Sequence, residues 1–272
     1  MNLGTVTQIK RPASADDVSL WRDGYAWLAG GTWLFSQPQP ATDTLIDLEG
    51  LRWPALQASA EGLEIAATCH IVELDRFVAP AAWIAAPLLR TCCRSLLASF
   101  KIWNAATVGG NICMSLPAGA MISLTAALEG IYTLWPRGGP PRQVSAVDFI
   151  TGNNRNMLRP GELLRSIHLP ARALAKRFAF RRTSLTHLGR SSALLIGTRS
   201  AGAEDLLITV TAATVRPIAL RFPRIPSAAD LRAAIDAAIP QSAYLDDVHG
   251  SPAYRRHLTY YYAEQIRGEL AA

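Results

Sequence analysis

The stretch Ala106-Thr107-Val108-Gly109-Gly110-Asn111-Ile112 sets two glycines among polar residues directly after an apolar segment. About eighty residues earlier, Leu28-Ala29-Gly30-Gly31-Thr32-Trp33-Leu34 shows the same combination. Glycine permits positive φ and leaves backbone N–H groups uncovered, so several donors can converge on an anion such as a pyrophosphate. Thr32, Thr107 and Asn111 would add side-chain hydrogen bonds to phosphate or ribose oxygens. Two such motifs suggest one extended ligand that is gripped from both sides.

Each motif alone is a weak signal, because a Gly-Gly pair between strands is more often an ordinary turn than a phosphate site. The sequence contains neither the GxGxxG pattern of a Rossmann fold nor the GxxxxGK[ST] pattern of a P-loop. Ordinary dinucleotide-binding and nucleoside-triphosphate-binding folds are therefore excluded.

Length and composition describe a globular chain. With 272 residues, half of them hydrophobic, the chain can bury a sizeable core in one large or two small domains. No apolar run approaches the ~20 uncharged residues of a bilayer span, and the start lacks the pattern of a secretory signal. These features predict a soluble, unexported, cytoplasmic protein.

The four cysteines, Cys69, Cys92, Cys93 and Cys113, form no CxxC pair and no Cys/His ligand spacing. A zinc finger or an iron–sulfur site in this chain is therefore not expected. They are predicted to be buried thiols of a reducing compartment.

Charge is divided unevenly along the chain. Residues 1–136 carry 8 Lys and Arg against 11 Asp and Glu, whereas residues 137–272 carry 19 against 10. Between Arg172 and Arg190 there are six basic residues and no acid. Such a run could hold phosphates or dock an acidic partner, and a solvated surface explains it equally simply. A nucleic-acid-binding motif is not recognisable in it.

Hydrophobic periodicity predicts an α+β fold in three pieces, 1–56, 57–172 and 173–272. A helix is expected over residues 15–27, capped by Asp16 or Asp17, and a loop over residues 104–110. Further helices are expected over 81–98, with a kink or restart at Pro87, and over 120–128, 228–238 and 252–267. Strands are expected over 44–48, 63–67, 131–134, 163–169, 177–182, 206–213 and 215–220.

Taken together, Ala29-Gly30-Gly31-Thr32 and Thr107-Val108-Gly109-Gly110-Asn111-Ile112 resemble the two flavin-binding motifs of the FAD subunit of molybdenum hydroxylases. This is the xanthine dehydrogenase and carbon monoxide dehydrogenase family. The resemblance covers nearly the whole chain, and its further matches are Pro117-Ala118-Gly119, Asp148-Phe149, residues 158–164, Phe180-Arg181-Arg182 and residues 251–258.

The resemblance implies an architecture and a role. Two α/β lobes of the vanillyl-alcohol-oxidase (PCMH) type would hold an extended FAD, beside a C-terminal domain of antiparallel sheet and helices. The expected partners are a small subunit with two [2Fe–2S] clusters and a large molybdopterin subunit, in a hetero-oligomer. Substrate chemistry would take place at molybdenum, and this chain would relay electrons to an acceptor such as NAD+, oxygen or a quinone.

The resemblance also assigns residues around the two glycine motifs. The backbone amides of residues 28–34 would wrap the FAD pyrophosphate. Thr107, Gly109, Gly110 and Asn111 would hold the other side of the diphosphate and the ribityl chain.

Other assignments lie outside the two motifs. Leu97 and Leu164 occupy positions of apolar contacts to the flavin or adenine, and Arg177 falls where a lysine often approaches the cofactor. Ala120 stands where the family usually has an acidic residue that accepts hydrogen bonds from a ribose. The segment after Arg182 also departs from the family pattern, and its His187 could approach the flavin edge.

Two alternatives to the electron-transfer subunit remain open. One is a stand-alone flavin-dependent oxidase or reductase, which would need an acid or base poised over the flavin. The other is a scaffold that has lost FAD and only docks its partners, which Ala120 and the altered segment after Arg182 favour.

Overall fold

The computed structural model describes residues 3–14, 16–18, 21–96, 98–136, 138–186 and 189–272. The chain begins with three short strands, β1 (Gln8–Lys10), β2 (Tyr25–Leu28) and β3 (Thr44–Asp47). They form a parallel sheet with β3 in the centre. The whole of β3 is buried, so this strand anchors the first piece of the fold.

The helix predicted over residues 15–27 is wrong in its described part. Residues 16–18 form a single 3₁₀ turn, and residues 25–28 are strand β2. The carboxylate of Asp17 accepts the N–H groups of Ala13 and Ser14 at 2.9 and 3.0 Å, which closes a local turn. The aromatic residues Tyr25 and Trp27, which follow an Asp-Gly turn signal, favour a strand.

The central piece is built on a five-stranded antiparallel sheet whose strand order is β4-β5-β10-β6-β7, with helices on one side. Its elements are β4 (Leu56–Ser59), β5 (Gly62–Ala66), α1 (Ile71–Asp75), α2 (Pro87–Ser95), α3 (Phe100–Ala105), α4 (Val108–Cys113), α5 (Ala120–Ala127), β6 (Ile131–Trp135), β7 (Arg142–Ser145), α6 (Ala146–Phe149), β8 (Ile150–Gly152), β9 (Arg155–Asn156), β10 (Leu163–Pro170) and α7 (Ala171–Leu174). The helix predicted over residues 81–98 is wrong before Pro87, because residues 81–86 are not helical. Helix α2 begins at Pro87 itself, since proline is tolerated in a first helical turn.

The loop predicted over residues 104–110 is wrong. It is divided between the end of α3 and the first turn of α4. Thr107 is the N-cap of α4, and its hydroxyl oxygen accepts the N–H of Gly110 at 3.0 Å. This cap holds two glycines in a helix despite their low helix propensity.

Helix α5 lies at the centre of the molecule and is buried on every side. The hydroxyls of Thr125 and Tyr132 are 2.6 Å apart on the side of the central sheet. On its other side, the hydroxyls of Ser123 and Thr211 are 2.7 Å apart. An apolar helix without a polar face requires such cover on all sides.

The last piece is an antiparallel sheet in chain order, backed by two helices. Its elements are β11 (Arg177–Ser184), β12 (Ser191–Arg199), β13 (Leu206–Thr211), β14 (Ile218–Phe222), α8 (Ala228–Ala238) and α9 (Pro252–Ala271). Sequence patterning missed β12, because α5 covers one face of it and α9 the other, and no alternation results.

The observed architecture confirms the predicted α+β class with an antiparallel C-terminal domain. The boundaries at residues 56 and 172 stay a prediction. Among the helices of the described residues, none combines the length and the apolarity that a bilayer crossing requires.

A partly buried ion network joins the central and C-terminal pieces. The carboxylate of Glu129, in the turn after α5, accepts hydrogen bonds from Lys176 at 2.9 Å and from Arg221 at 2.8 Å. Lys176 precedes β11 and Arg221 lies in β14, so the network ties both edges of the C-terminal sheet to the central piece.

Arg255, in the first turns of α9, is only 1% exposed. Its guanidinium donates to the carbonyls of Ser192 at 2.7 Å, Ala212 at 2.6 Å and Gly250 at 3.0 Å, and it pairs with Asp247. Ser192 lies at the start of β12 and Ala212 directly after β13, so Arg255 holds α9 against the sheet.

We expect Arg255→Ala to lower the free energy of unfolding by about 3 kcal/mol, because it leaves buried carbonyls and a carboxylate without their donor. The neighbouring Arg256→Ala is the control. Arg256 pairs with Asp236 in a half-exposed setting, where an ion pair contributes less than about 1 kcal/mol. Urea denaturation measures both, and equal losses would contradict the role of Arg255.

Glu162 connects the first piece to the central sheet. Its carboxylate accepts two hydrogen bonds from Arg142, at 2.6 and 3.1 Å, and one from the N–H of Arg159 at 2.9 Å. Its carbonyl accepts the indole N–H of Trp27, in β2, at 2.9 Å. The Arg142 guanidinium holds the pKa of Glu162 below its ordinary value, against the opposing effect of burial.

This pKa shift predicts an acid-dependent loss of stability. A carboxyl whose pKa is lowered by folding stabilises the protein above its unfolded pKa, about 4.3, and loses that effect as pH falls through the folded value. Glu162→Gln should therefore be less stable than the wild type at pH 7, and the difference should shrink below about pH 4.

Denaturant unfolding of the two proteins at several pH values between 7 and 3 measures this difference. Glu61→Gln, at an exposed carboxylate, should leave the wild-type curve unchanged. If the free energies of unfolding of the wild type and of Glu162→Gln followed parallel curves against pH, the carboxylate charge would make no contribution to stability.

Candidate cofactor-binding site

A cavity of about 510 Å³ opens where the three pieces of the chain meet. Residues 29–34 line it from the first piece, and Arg190 and Ser191 from the C-terminal piece. The central piece contributes the beginning of α4 together with Ser95, Leu96, Ala98, Ile102 and Ala106. Ligand pockets of proteins typically measure roughly 300–1,000 Å³.

Both glycine motifs line this one cavity. The predicted site residues that the structure brings together there are Ala29, Gly30, Gly31, Thr32, Trp33, Leu34, Thr107, Gly109, Gly110, Asn111 and Leu164. The convergence of two motifs about eighty residues apart, expected from their sequences, is therefore observed.

Each motif packs through its backbone against a neighbouring segment. A β-carbon built on Gly30 would lie 1.7 Å from the carbonyl oxygen of Ala105, at the end of α3. A β-carbon built on Gly109 would lie 2.7 Å from the carbonyl oxygen of Ala67, just after β5. Any side chain at either position would push the walls of the cavity apart.

The first motif presents unpaired backbone donors. Gly31 has a φ of +67°, which turns the chain at this point. In the described part of the chain, the amide N–H groups of residues 30–33 donate no hydrogen bond to a protein acceptor. Consecutive free N–H groups around a left-handed residue form a concave site for an anion.

The second motif differs from this pattern. All four N–H groups of the first turn of α4 already have protein acceptors, because Val108 donates to Cys69, Gly109 to Ala67, and both Gly110 and Asn111 to Thr107. The expectation that these amides are uncovered is therefore wrong for this motif. Its closely packed backbone shapes the cavity wall instead.

At the second motif, polar side chains rather than backbone amides provide free hydrogen-bond donors. The carbonyl oxygen of the Asn111 side chain accepts the N–H of Met121, in α5, at 3.0 Å. This contact fixes the orientation of the side chain and leaves its NH₂ group as a donor at the cavity wall. The hydroxyl of Thr107 accepts from Gly110, so its own hydrogen is also available.

Most of the remaining wall is apolar. Its side chains come from distant elements and include Leu48, Leu96, Ile102, Met114, Leu116, Leu158 and Leu163. Trp33, which is 40% exposed, lies at this wall, whereas Trp103 packs against the hydrophobic core. Cys113 also lines the cavity, and burial raises the pKa of its thiol to about 12, so it is uncharged at neutral pH.

The sequence did not predict that Arg190 and Ser191 of the C-terminal piece line the cavity. Arg182 of β11 donates to the Ser191 hydroxyl at 2.7 Å and to the Gly189 carbonyl at 2.6 Å, which places the start of β12 at the cavity. In the sequence, Arg190 is distinguished only as the last residue of the basic run that begins at Arg172. Pairing between β11 and β12, which the sequence does not reveal, selects it from that run.

Three of the predicted positions that the structure describes do not line the cavity. Arg177 is exposed and pairs with Arg199 at the far end of the β11–β12 hairpin, about 23 Å along the strand from Ser184. Ala120 is buried in the first turn of α5, and Leu28 is the last residue of β2. Leu97, like His187, lies outside the described residues.

Comparisons with known proteins agree with this geometry. The sequence profile of the FAD binding domain in molybdopterin dehydrogenase matches residues 7–172, well over half of the chain. The chain belongs to this family. The prediction of an FAD-binding subunit of the molybdenum hydroxylase type is thereby confirmed.

Individual relatives extend the likeness over the full chain. The carbon monoxide dehydrogenase medium chain of Hydrogenophaga pseudoflava is 25% identical over 250 residues, which cover 88% of this chain and 84% of the relative. Quinoline 2-oxidoreductase from Pseudomonas putida 86 matches with a TM-score of 0.76 and 20% identity, covering 99% of this chain and 98% of its own.

A second solved structure shows the same fold. The reconstituted carbon monoxide dehydrogenase from Oligotropha carboxidovorans matches with a TM-score of 0.78 and 23% identity. The match covers 98% of this chain and 99% of that one.

The cavity of this FAD-binding domain fits the cofactor in three respects. The unpaired amides of residues 30–33 suit a diphosphate. The apolar walls suit flat ring systems. Among the described lining residues there is no carboxylate to repel the phosphates.

We expect Gly30→Ala and Gly109→Ala to lose bound FAD and to lower stability by about 1–3 kcal/mol, because the added methyl overlaps backbone atoms. Gly268→Ala in α9 is the control, since nothing lies within 4 Å of its β-carbon position. That variant should gain about 0.5–1 kcal/mol and keep its flavin. Full flavin content in Gly30→Ala and Gly109→Ala would refute the assigned contacts.

Proposed function

We propose that this chain is the electron-transfer subunit of a cytoplasmic molybdenum hydroxylase, which holds FAD noncovalently and passes electrons from [2Fe–2S] clusters of a partner subunit to an external acceptor. The observation that carries the proposal is the single cavity in which unpaired backbone donors of one motif face the closely packed second motif.

The residues of this chain bind and orient the cofactor. The amides of residues 30–33 hold the diphosphate, and the side chains of Thr107 and Asn111 donate to its oxygens or to the ribityl hydroxyls. Leu164 and the other apolar walls exclude water from the rings. FAD, when bound, supplies the capacity to take up and release electrons at this site.

The composition of the cavity favours electron relay over direct oxidation of a substrate. A stand-alone flavin oxidase needs a group that accepts or donates a proton over the ring. Among the described lining residues there is no histidine, carboxylate, lysine or tyrosine. The cavity lined by both glycine motifs also disfavours a scaffold that has lost FAD.

Partner subunits are proposed from the relatives. The Hydrogenophaga relative is the medium chain of its enzyme, and a structure of that enzyme is described as lacking the Mo-pyranopterin moiety of its molybdenum cofactor. A small [2Fe–2S] subunit and a large molybdopterin subunit are therefore the proposed partners. The cytoplasmic location agrees with four free thiols, since disulfides persist in oxidising compartments.

The purified full chain should show the visible absorption of an oxidised flavin, and heat should release FAD rather than FMN. The Gly30→Ala variant, purified in parallel, gives the spectrum of the emptied protein. A folded wild type that stays colourless after incubation with excess FAD would reject the cofactor assignment.

Affinity purification of the tagged chain from its native cells tests the partners. Iron and molybdenum should copurify with it in stoichiometric amounts. Flavin without either metal would support the stand-alone oxidase instead.

A further inference from the structure

Arg190 is the one charged side chain among the described residues that line the cavity. The remaining lining residues in this part of the chain are apolar, small or uncharged polar. Among these residues, Arg190 is therefore the one whose formal charge can act on a bound ligand.

Arg190 is also exposed and makes no hydrogen bond or ion pair with the described residues. The adjacent Arg182 differs, because it donates to the Gly189 carbonyl and the Ser191 hydroxyl. Arg182 therefore fixes the backbone on both sides of Arg190. The guanidinium of Arg190 is left for a ligand in the cavity or for solvent.

The diphosphate already has its donors elsewhere. The free amides of residues 30–33 and the side chains of Thr107 and Asn111 belong to the two glycine motifs, whereas Arg190 comes from the C-terminal piece. Leu96, directly after α2, and Ile102, in α3, add apolar side chains to the cavity wall and carry no charge. A neutral adenine suits such a wall.

The flavin ring is the part of FAD whose charge changes. Uptake of two electrons and one proton by the neutral oxidised ring leaves it with one negative charge. A fixed cation near this ring stabilises the reduced form more than the oxidised one and so raises the reduction potential. Exposure of Arg190 also places this end of the cavity at the surface, where an external acceptor can approach.

We infer that Arg190 is a positioning residue that pairs with the negative charge of the reduced flavin ring and thereby sets its reduction potential. This inference rests on the proposed function, because it requires FAD in the cavity. It assigns to the C-terminal piece an electrostatic role in addition to closing the cavity.

The test is a redox titration of the FAD-loaded full chain with dithionite and reference dyes. In Arg190→Ala, binding of reduced relative to oxidised FAD should weaken about tenfold, which lowers the midpoint potential by about 30 mV for two electrons. Arg190→Lys should restore most of the wild-type potential. Arg177→Ala, which removes an equal charge at the far end of the hairpin, should leave it unchanged.

The dissociation constant of oxidised FAD, measured on the same variants, separates the remaining possibilities. We expect it to change less than threefold in Arg190→Ala. A large loss of oxidised FAD with an unchanged potential would overturn the inference and assign Arg190 to the diphosphate. An Arg190→Ala potential equal to that of wild type would overturn it as well. A wild type that binds no FAD would instead refute the proposed function.

Discussion

Direct packing of backbone against backbone at two glycines is the constraint on which the cavity depends. Gly30 packs on the Ala105 carbonyl and Gly109 packs on Ala67. At each position two segments of backbone lie closer together than any side chain would allow. The first contact brings the parallel sheet against the helices of the central piece, and the second seats α4 on β5. Because both contacts border the same cavity, its shape depends on the absence of two methyl groups.

The two glycine motifs have different physical roles although their sequences look alike. The turn at residues 30–33 keeps its amides free, whereas the first turn of α4 uses all of its amides within the protein. Free backbone donors are therefore concentrated on one side of the cavity, and the other side provides a rigid wall. The amide of Asn111, held in place by Met121, adds a directed donor to the rigid side.

The C-terminal piece completes the site rather than merely covering it. Helix α5 is shared between two sheets, and the Glu129 and Arg255 networks hold the C-terminal sheet and its helix in position. This arrangement brings Arg190 to a cavity that is otherwise free of charge among the described residues. A cofactor that gains negative charge on reduction would find its electrostatic complement there, which suits a subunit that stores and passes on electrons.

The sequence by itself determined the α+β class, the elements after residue 56 with regular patterns, and the convergence of two glycine motifs on one cavity. Local chemistry is sufficient for these, because glycine spacing, Pro87 and apolar periodicity act within a few residues. Only the tertiary structure decided that residues 25–28 form a strand, that Gly109 and Gly110 lie in a helix, and that Arg190 rather than Arg177 reaches the cavity. Each of these depends on a partner far along the chain, such as β3, Ala67 or the register of β11 on β12, and no local pattern encodes such a contact.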